Sequence, residues 1–105
     1  MWILRSAVDA EPALTFRVPA GAIKTVGRAV RSDFILDVAM VSRIHCRLTV
    51  DADGQQLIVE DLESTNGTFV NDQRVTRAVL AVGDRLRVGR IELAVAHERA
   101  AVKES

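Results

Sequence analysis

The chain has 105 residues, room for one compact domain, and 49% of them are hydrophobic, enough for a single core. Its 14 basic side chains balance 14 acidic ones, so there is no overall basic surplus of the kind that drives binding to nucleic acid or to an anionic membrane surface. Cys46 is the single cysteine, which allows no intrachain disulfide and points to a reducing, cytoplasmic setting, and no segment approaches the roughly 18 apolar residues of a membrane helix.

In chain order, short runs rich in Val, Ile, Leu and Thr alternate with Gly, Asp, Asn and Ser, a pattern of many strands joined by tight turns. The apolar start Met1-Trp2-Ile3-Leu4 is too short for a signal peptide and reads as the first strand, 2–5. Further strands are expected at 14–18, 22–26, 34–36, 45–51, 56–61, 68–70, 74–75, 85–88 and 91–96. Within 45–51, Cys46, Leu48 and Val50 face one way, and His45, Arg47 and Thr49 the other. Asp51-Ala52-Asp53-Gly54 is a turn with Gly54 free to take positive φ, and Asn71-Asp72 closes a second hairpin through residues that tolerate the left-handed region. Residues 77–82, stopped by Gly83, are the best helix candidate, and a loop carrying a buried Leu80 accounts for them equally well. Residues 97–105 read as a short helical turn or a frayed tail. The whole is an all-β sandwich of two packed sheets.

Three polar clusters interrupt the strands, and each falls in an expected loop: Gly27-Arg28, Ser42-Arg43-Ile44-His45, and Ser64-Thr65-Asn66-Gly67-Thr68. Loops held by a rigid sandwich are where binding residues concentrate. The chemistry suits a phosphate dianion. Arg28 supplies a planar fork of donors, Ser42 a hydroxyl, and loop N–H groups near Arg43 and Thr65 further donors. Spacing alone does not establish that these groups converge.

The ordered set Gly27-Arg28, Ser42-Arg43-x-His45 and Ser64-Thr65-Asn66-Gly67-Thr68-Phe69-Val70-Asn71, followed by Leu80, Gly83-Asp84, Leu86 and Gly89, resembles the signature of the forkhead-associated (FHA) domain family over about residues 14–96. The resemblance implies a β-sandwich of about eleven strands in two twisted, mostly antiparallel sheets, with binding loops at one end. It implies a module that docks phosphothreonine on partner proteins in Ser/Thr-kinase signalling and needs no cofactor. By motif position, Arg28 and Ser42 would hold the phosphate and Arg43 would lie beside it. Thr65 would shape the pocket and Asn66 would bond the peptide backbone, while Gly27, His45 and Gly67 would brace the loops. Where the family often has Asn-Gly, this chain has Asn71-Asp72, past the binding motif. The domain is expected over 1–96, with 97–105 as a tail or linker.

Other chemistries fit less well. His45 and Cys46 are strand neighbours pointing to opposite faces, so they do not form a nucleophile–base pair, and Cys46 falls on the apolar side. His45, His97 and Cys46 lack metal-ligand spacing. Glu60, Asp61 and Glu63 mark a strand end and a solvated loop rather than a catalytic carboxylate pair. No catalytic residue is expected, and no feature specifies an oligomeric state. The competing function is a phosphate-independent scaffold or self-association domain of the same fold, against which the intact Arg28, Ser42 and Asn66 argue.

Overall fold

The computed structural model describes residues 1–11 and 13–98 and contains eleven strands. These are β1 (Trp2–Arg5), β2 (Thr15–Val18), β3 (Ile23–Gly27), β4 (Phe34–Ile35), β5 (Cys46–Val50) and β6 (Leu57–Asp61), then β7 (Thr68–Val70), β8 (Gln73–Val75), β9 (Arg77–Leu80), β10 (Arg85–Val88) and β11 (Ile91–His97). A six-stranded sheet runs in the order β2-β1-β11-β10-β7-β8, and a five-stranded sheet in the order β4-β3-β5-β6-β9. Every pairing is antiparallel except β3 with β4.

Period-two alternation builds the core. In β5, Cys46, Leu48 and Val50 are buried while Arg47 and Thr49 are half-exposed. In β11, Ile91, Leu93 and Val95 point inward between exposed Glu92 and Ala94. Leu48, Leu57, Val59 and Leu80 from one sheet meet Leu4, Val18, Leu86 and Leu93 from the other. Fully burying each of these large side chains contributes about 1.5–3 kcal/mol. Phe16 and Phe34 stack at the margin with ring centroids 4.3 Å apart.

The segment 77–82 is neither helix nor loop over its first part. Arg77–Leu80 is β9, paired antiparallel with β6 so that Leu80 lies opposite Leu57 and Val79 opposite Ile58. The run Arg77-Ala78-Val79-Leu80 alternates exposed, half-buried, exposed and buried, a strand period that the five-stranded sheet's open edge captures. The Asn71-Asp72 turn has φ of 50° and 69°, the two left-handed positions of a tight hairpin. Strand β11 continues to His97, one residue beyond the expected boundary, so no helical turn begins there. Residues 99–105 of the expected tail lie outside the described residues.

The register sets where the loops emerge. Val26 of β3 lies opposite Cys46, the first residue of β5, which lies opposite Asp61, the last of β6. The β3–β4, β4–β5 and β6–β7 connections therefore leave the same end of the five-stranded sheet. Val88 pairs with Thr68, which places the β10–β11 turn at that end too.

Candidate functional site

Ser42 ties the three polar loops together. Its N–H donates to His45 Nδ1 (3.0 Å), its carbonyl accepts from the Arg28 N–H (3.0 Å), and its Oγ accepts from the Thr65 N–H (2.9 Å). The hydroxyl proton of Ser42 is left to donate outward. Of the loop N–H groups near Thr65 expected as further donors, that of Thr65 itself is spent on Ser42. The Arg43 N–H donates to no described residue.

His45 is fully buried and bridges two loops. Its Nδ1 receives the Ser42 N–H, so Nδ1 carries no hydrogen, and Nε2 donates to the Gly67 carbonyl at 2.8 Å. The two partners thus fix the tautomer. His45 sits just before β5, and its ring turns under the loops rather than out to solvent with Arg47 and Thr49.

Arg28 is exposed and anchored at one end, Nε donating to the Val41 carbonyl at 3.0 Å. None of the ion pairs among the described residues involves it, so its terminal N–H groups remain for a ligand. Asn66 donates from Nδ2 to the Met40 carbonyl at 3.0 Å, which turns its Oδ1 away as an acceptor. Asn66 therefore holds the loop and also offers a group to a peptide N–H. Arg28, Ser42, Thr65 and Asn66, with Asp37 to Val41, line one shallow groove of about 380 Å³. The Arg43 side chain is exposed and is not part of that lining, while its carbonyl accepts from the Ala29 N–H and Ser32 Oγ.

Two glycines are required by this packing. A Cβ on Gly27 would lie 2.1 Å from the Arg43 carbonyl oxygen, so only glycine lets β3 meet the β4–β5 loop. Gly67 has φ +90° and turns the chain from Asn66 into β7.

Within the acidic stretch, Asp61 closes β6, the expected strand end, but its side chain is half-buried and engaged rather than solvated. Its Oδ1 accepts from Ser64 Oγ and Thr68 Oγ1, and its Oδ2 accepts from the Ser64 N–H. Ser64 Oγ in turn accepts from the Gly67 N–H. Burial works against the ionised Asp61, but these hydrogen bonds outweigh it and hold the carboxyl below its ordinary range. The signal available in sequence was the three-residue spacing from Asp61 to Ser64 ahead of a turn, a local side-chain-to-backbone motif. Met40 was also missed. Its φ of 75° is unusual for a residue with a side chain, and it presents the carbonyl that Asn66 needs.

Cys46 is buried, and burial, with the Asp61 charge adding to it, pushes its thiol up to about 12. Among the described residues, no group of three or more His, Cys, Asp or Glu is placed to hold a metal ion. No helix among them is long and apolar enough to cross a membrane.

A sandwich whose end loops converge on a donor-lined groove defines a loop-based recognition domain. The FHA domain family model matches residues 24–89, and the chain belongs to that family, which is one of protein-interaction modules. The chain is 40% identical over 72 residues to the glycogen accumulation regulator GarA of Mycobacterium tuberculosis, covering 69% of this chain and 43% of GarA. It is 37% identical over 91 residues to the ABC transporter ATP-binding/permease protein Rv1747 of the same organism, covering 87% of this chain and 10% of the transporter. The chain thus spans less than half the length of these relatives. In structure it resembles the FhaA FHA domain complexed with the intracellular domain of Rv3910 (TM-score 0.80, 34% identity, 91% of this chain and 100% of that one). It also resembles an FHA domain solved in work on phosphothreonine-dependent FHA domain interactions (TM-score 0.82, 33% identity, 94% and 98%).

Proposed function

We propose that this domain docks phosphothreonine on partner proteins through the groove beside Ser42, with Arg28 and the Ser42 hydroxyl as the phosphate donors. The observation that carries the reading is the Ser42 junction. One residue fastens the Arg28 and Thr65 backbones and the His45 ring within hydrogen-bond distance, so polar groups from three separate loops face one groove. Arg43 supplies its N–H and a flanking charge, Thr65 shapes the wall, and Asn66 Oδ1 accepts from the bound peptide's backbone. The likeness to an FHA domain solved in work on phosphothreonine-dependent interactions supports the phosphothreonine reading.

Residues 1–96, with His97 closing the last strand, form the functional unit. The setting is intracellular, where protein kinases mark the partner. The domain acts by binding rather than catalysis, which the buried, high-pKa Cys46 and the fully engaged His45 support.

The test is calorimetric titration with an oriented phosphothreonine peptide library and its unphosphorylated counterpart. The wild-type domain binds only the phosphorylated library, and Arg28→Ala loses about 1.5–3 kcal/mol of binding, the scale of a hydrogen bond between charged groups. Equal binding of both libraries would refute the proposal.

A further inference from the structure

The residues just beyond the candidate groove form a cationic stack that the proposed phosphate contacts do not use. Phe69 of β7 lies opposite Arg74 of β8 on one side and opposite Arg87 of β10 on the other, so the three side chains share one row across three adjacent strands. The Arg87 guanidinium carbon sits 4.2 Å over the centre of the Phe69 ring, a cation–π contact. Arg74 reaches back to the binding loop: the position a Cβ on Gly67 would take lies 2.8 Å from Arg74 Nε and 3.2 Å from the Phe69 ring. The row therefore begins beside Gly67, one residue from the groove-lining Asn66.

The charge on this row is only partly answered. Arg74 is exposed and joins none of the ion pairs among the described residues. Arg87 has Asp72 at 3.9 Å, a carboxylate that is itself 72% exposed. Glu92 lies opposite Arg87 in register but pairs with Arg85 at 3.6 Å. Arg74 Nε and the Phe69 ring fill the space beside buried Gly67, the residue after Asn66 of the groove lining, so an extended peptide leaving the groove past Asn66 comes within reach of the arginines.

We propose that the Arg74–Phe69–Arg87 row is a second contact surface that favours acidic residues flanking the phosphothreonine of the partner. The proposal rests on the phosphothreonine reading above and adds a preference to it. The occupant is an acidic peptide segment, because Arg74 joins none of the ion pairs among the described residues, Arg87 has one at 3.9 Å, and the row starts one residue from the groove-lining Asn66.

The experiment uses three fluorescent phosphothreonine peptides of one core sequence, with flanks of alanine, of N-terminal glutamates or of C-terminal glutamates, titrated in low and moderate salt. An acidic flank on one side tightens binding roughly three- to tenfold at low salt, the scale of two partly exposed ion pairs, and the gain shrinks as salt rises. The double variant Arg74→Gln/Arg87→Gln removes that gain while the alanine-flanked peptide binds as before. Equal affinity for all three peptides, or a gain that survives in the double variant, would overturn the proposal. Failure of every phosphopeptide to bind would overturn the phosphothreonine reading and this proposal with it. An acidic unphosphorylated peptide binding as tightly as its phosphorylated form would also overturn the proposal, because the row would then be an independent site.

Discussion

Asp61 touches no expected ligand atom, yet it decides whether the β6–β7 loop is in place. Its two oxygens receive three donors, and Thr68, one of them, is fully buried. In Asp61→Asn an N–H₂ group replaces one oxygen and confronts a donor, so at least one bond is lost and a buried polar group is orphaned. The cost is about 2–3 kcal/mol, the scale of a hydrogen bond to a charged acceptor. Urea unfolding should show that loss, and phosphopeptide affinity should fall with it because Thr65 and Asn66 ride on the same loop. The sequence placed Arg28, Ser42 and Asn66 in loops, and the structure brings those loops to one groove; the phosphate role of Arg28 and Ser42 is what their residue types suggest, and the peptide role of Asn66 is what the FHA resemblance implies. The role of Asp61 was not legible in the sequence, because a carboxylate between Glu60 and Glu63 looks like a solvated face until Ser64 and Thr68 are seen to close on it.

Among the elements, the β7–β8 hairpin shows how a departure from the common turn sequence is accommodated. Asn71 bonds across to Asp84 and receives the Arg85 N–H, while Asp72 bears the cost of φ 69° with only a long, exposed ion pair to Arg87 to set against it. Asp72→Gly relieves that cost and gives up one exposed ion pair at 3.9 Å. The variant should be more stable by roughly 0.5–1 kcal/mol, read from the shift in thermal midpoint, and it should bind the alanine-flanked phosphopeptide unchanged. The strands themselves were readable wherever alternation was clean, as in β5 and β11. The exception is β9. Arg-Ala-Val-Leu is too short for periodicity to separate strand from helix, and only pairing with β6 decides it. His45 illustrates the same limit: alternation from β5 sends it outward, but the chain has already left the strand.

For the molecule as a whole, two acid-sensitive events should separate in pH. Binding weakens first, since the phosphate's second ionisation lies near pH 6, with affinity falling up to roughly tenfold between pH 8 and pH 5 if only the dianion is held. Stability falls later. The folded-state pKa of Asp61 is depressed, so its contribution is present above the ordinary carboxylate range and is lost as pH drops through the lowered value. A pH series of peptide titrations beside a pH series of thermal unfolding checks the order, and loss of fold before loss of binding would contradict it.

The proposed phosphothreonine site is built around Ser42 by loops from three parts of the chain. Its most direct test is amide chemical-shift mapping of the domain with a phosphothreonine peptide and with the same peptide unphosphorylated. Large shifts are expected at Arg28, Ser42, Arg43, Thr65 and Asn66 and their loop neighbours, in the phosphorylated titration alone. Shifts centred on a sheet face, or identical in both titrations, would contradict it.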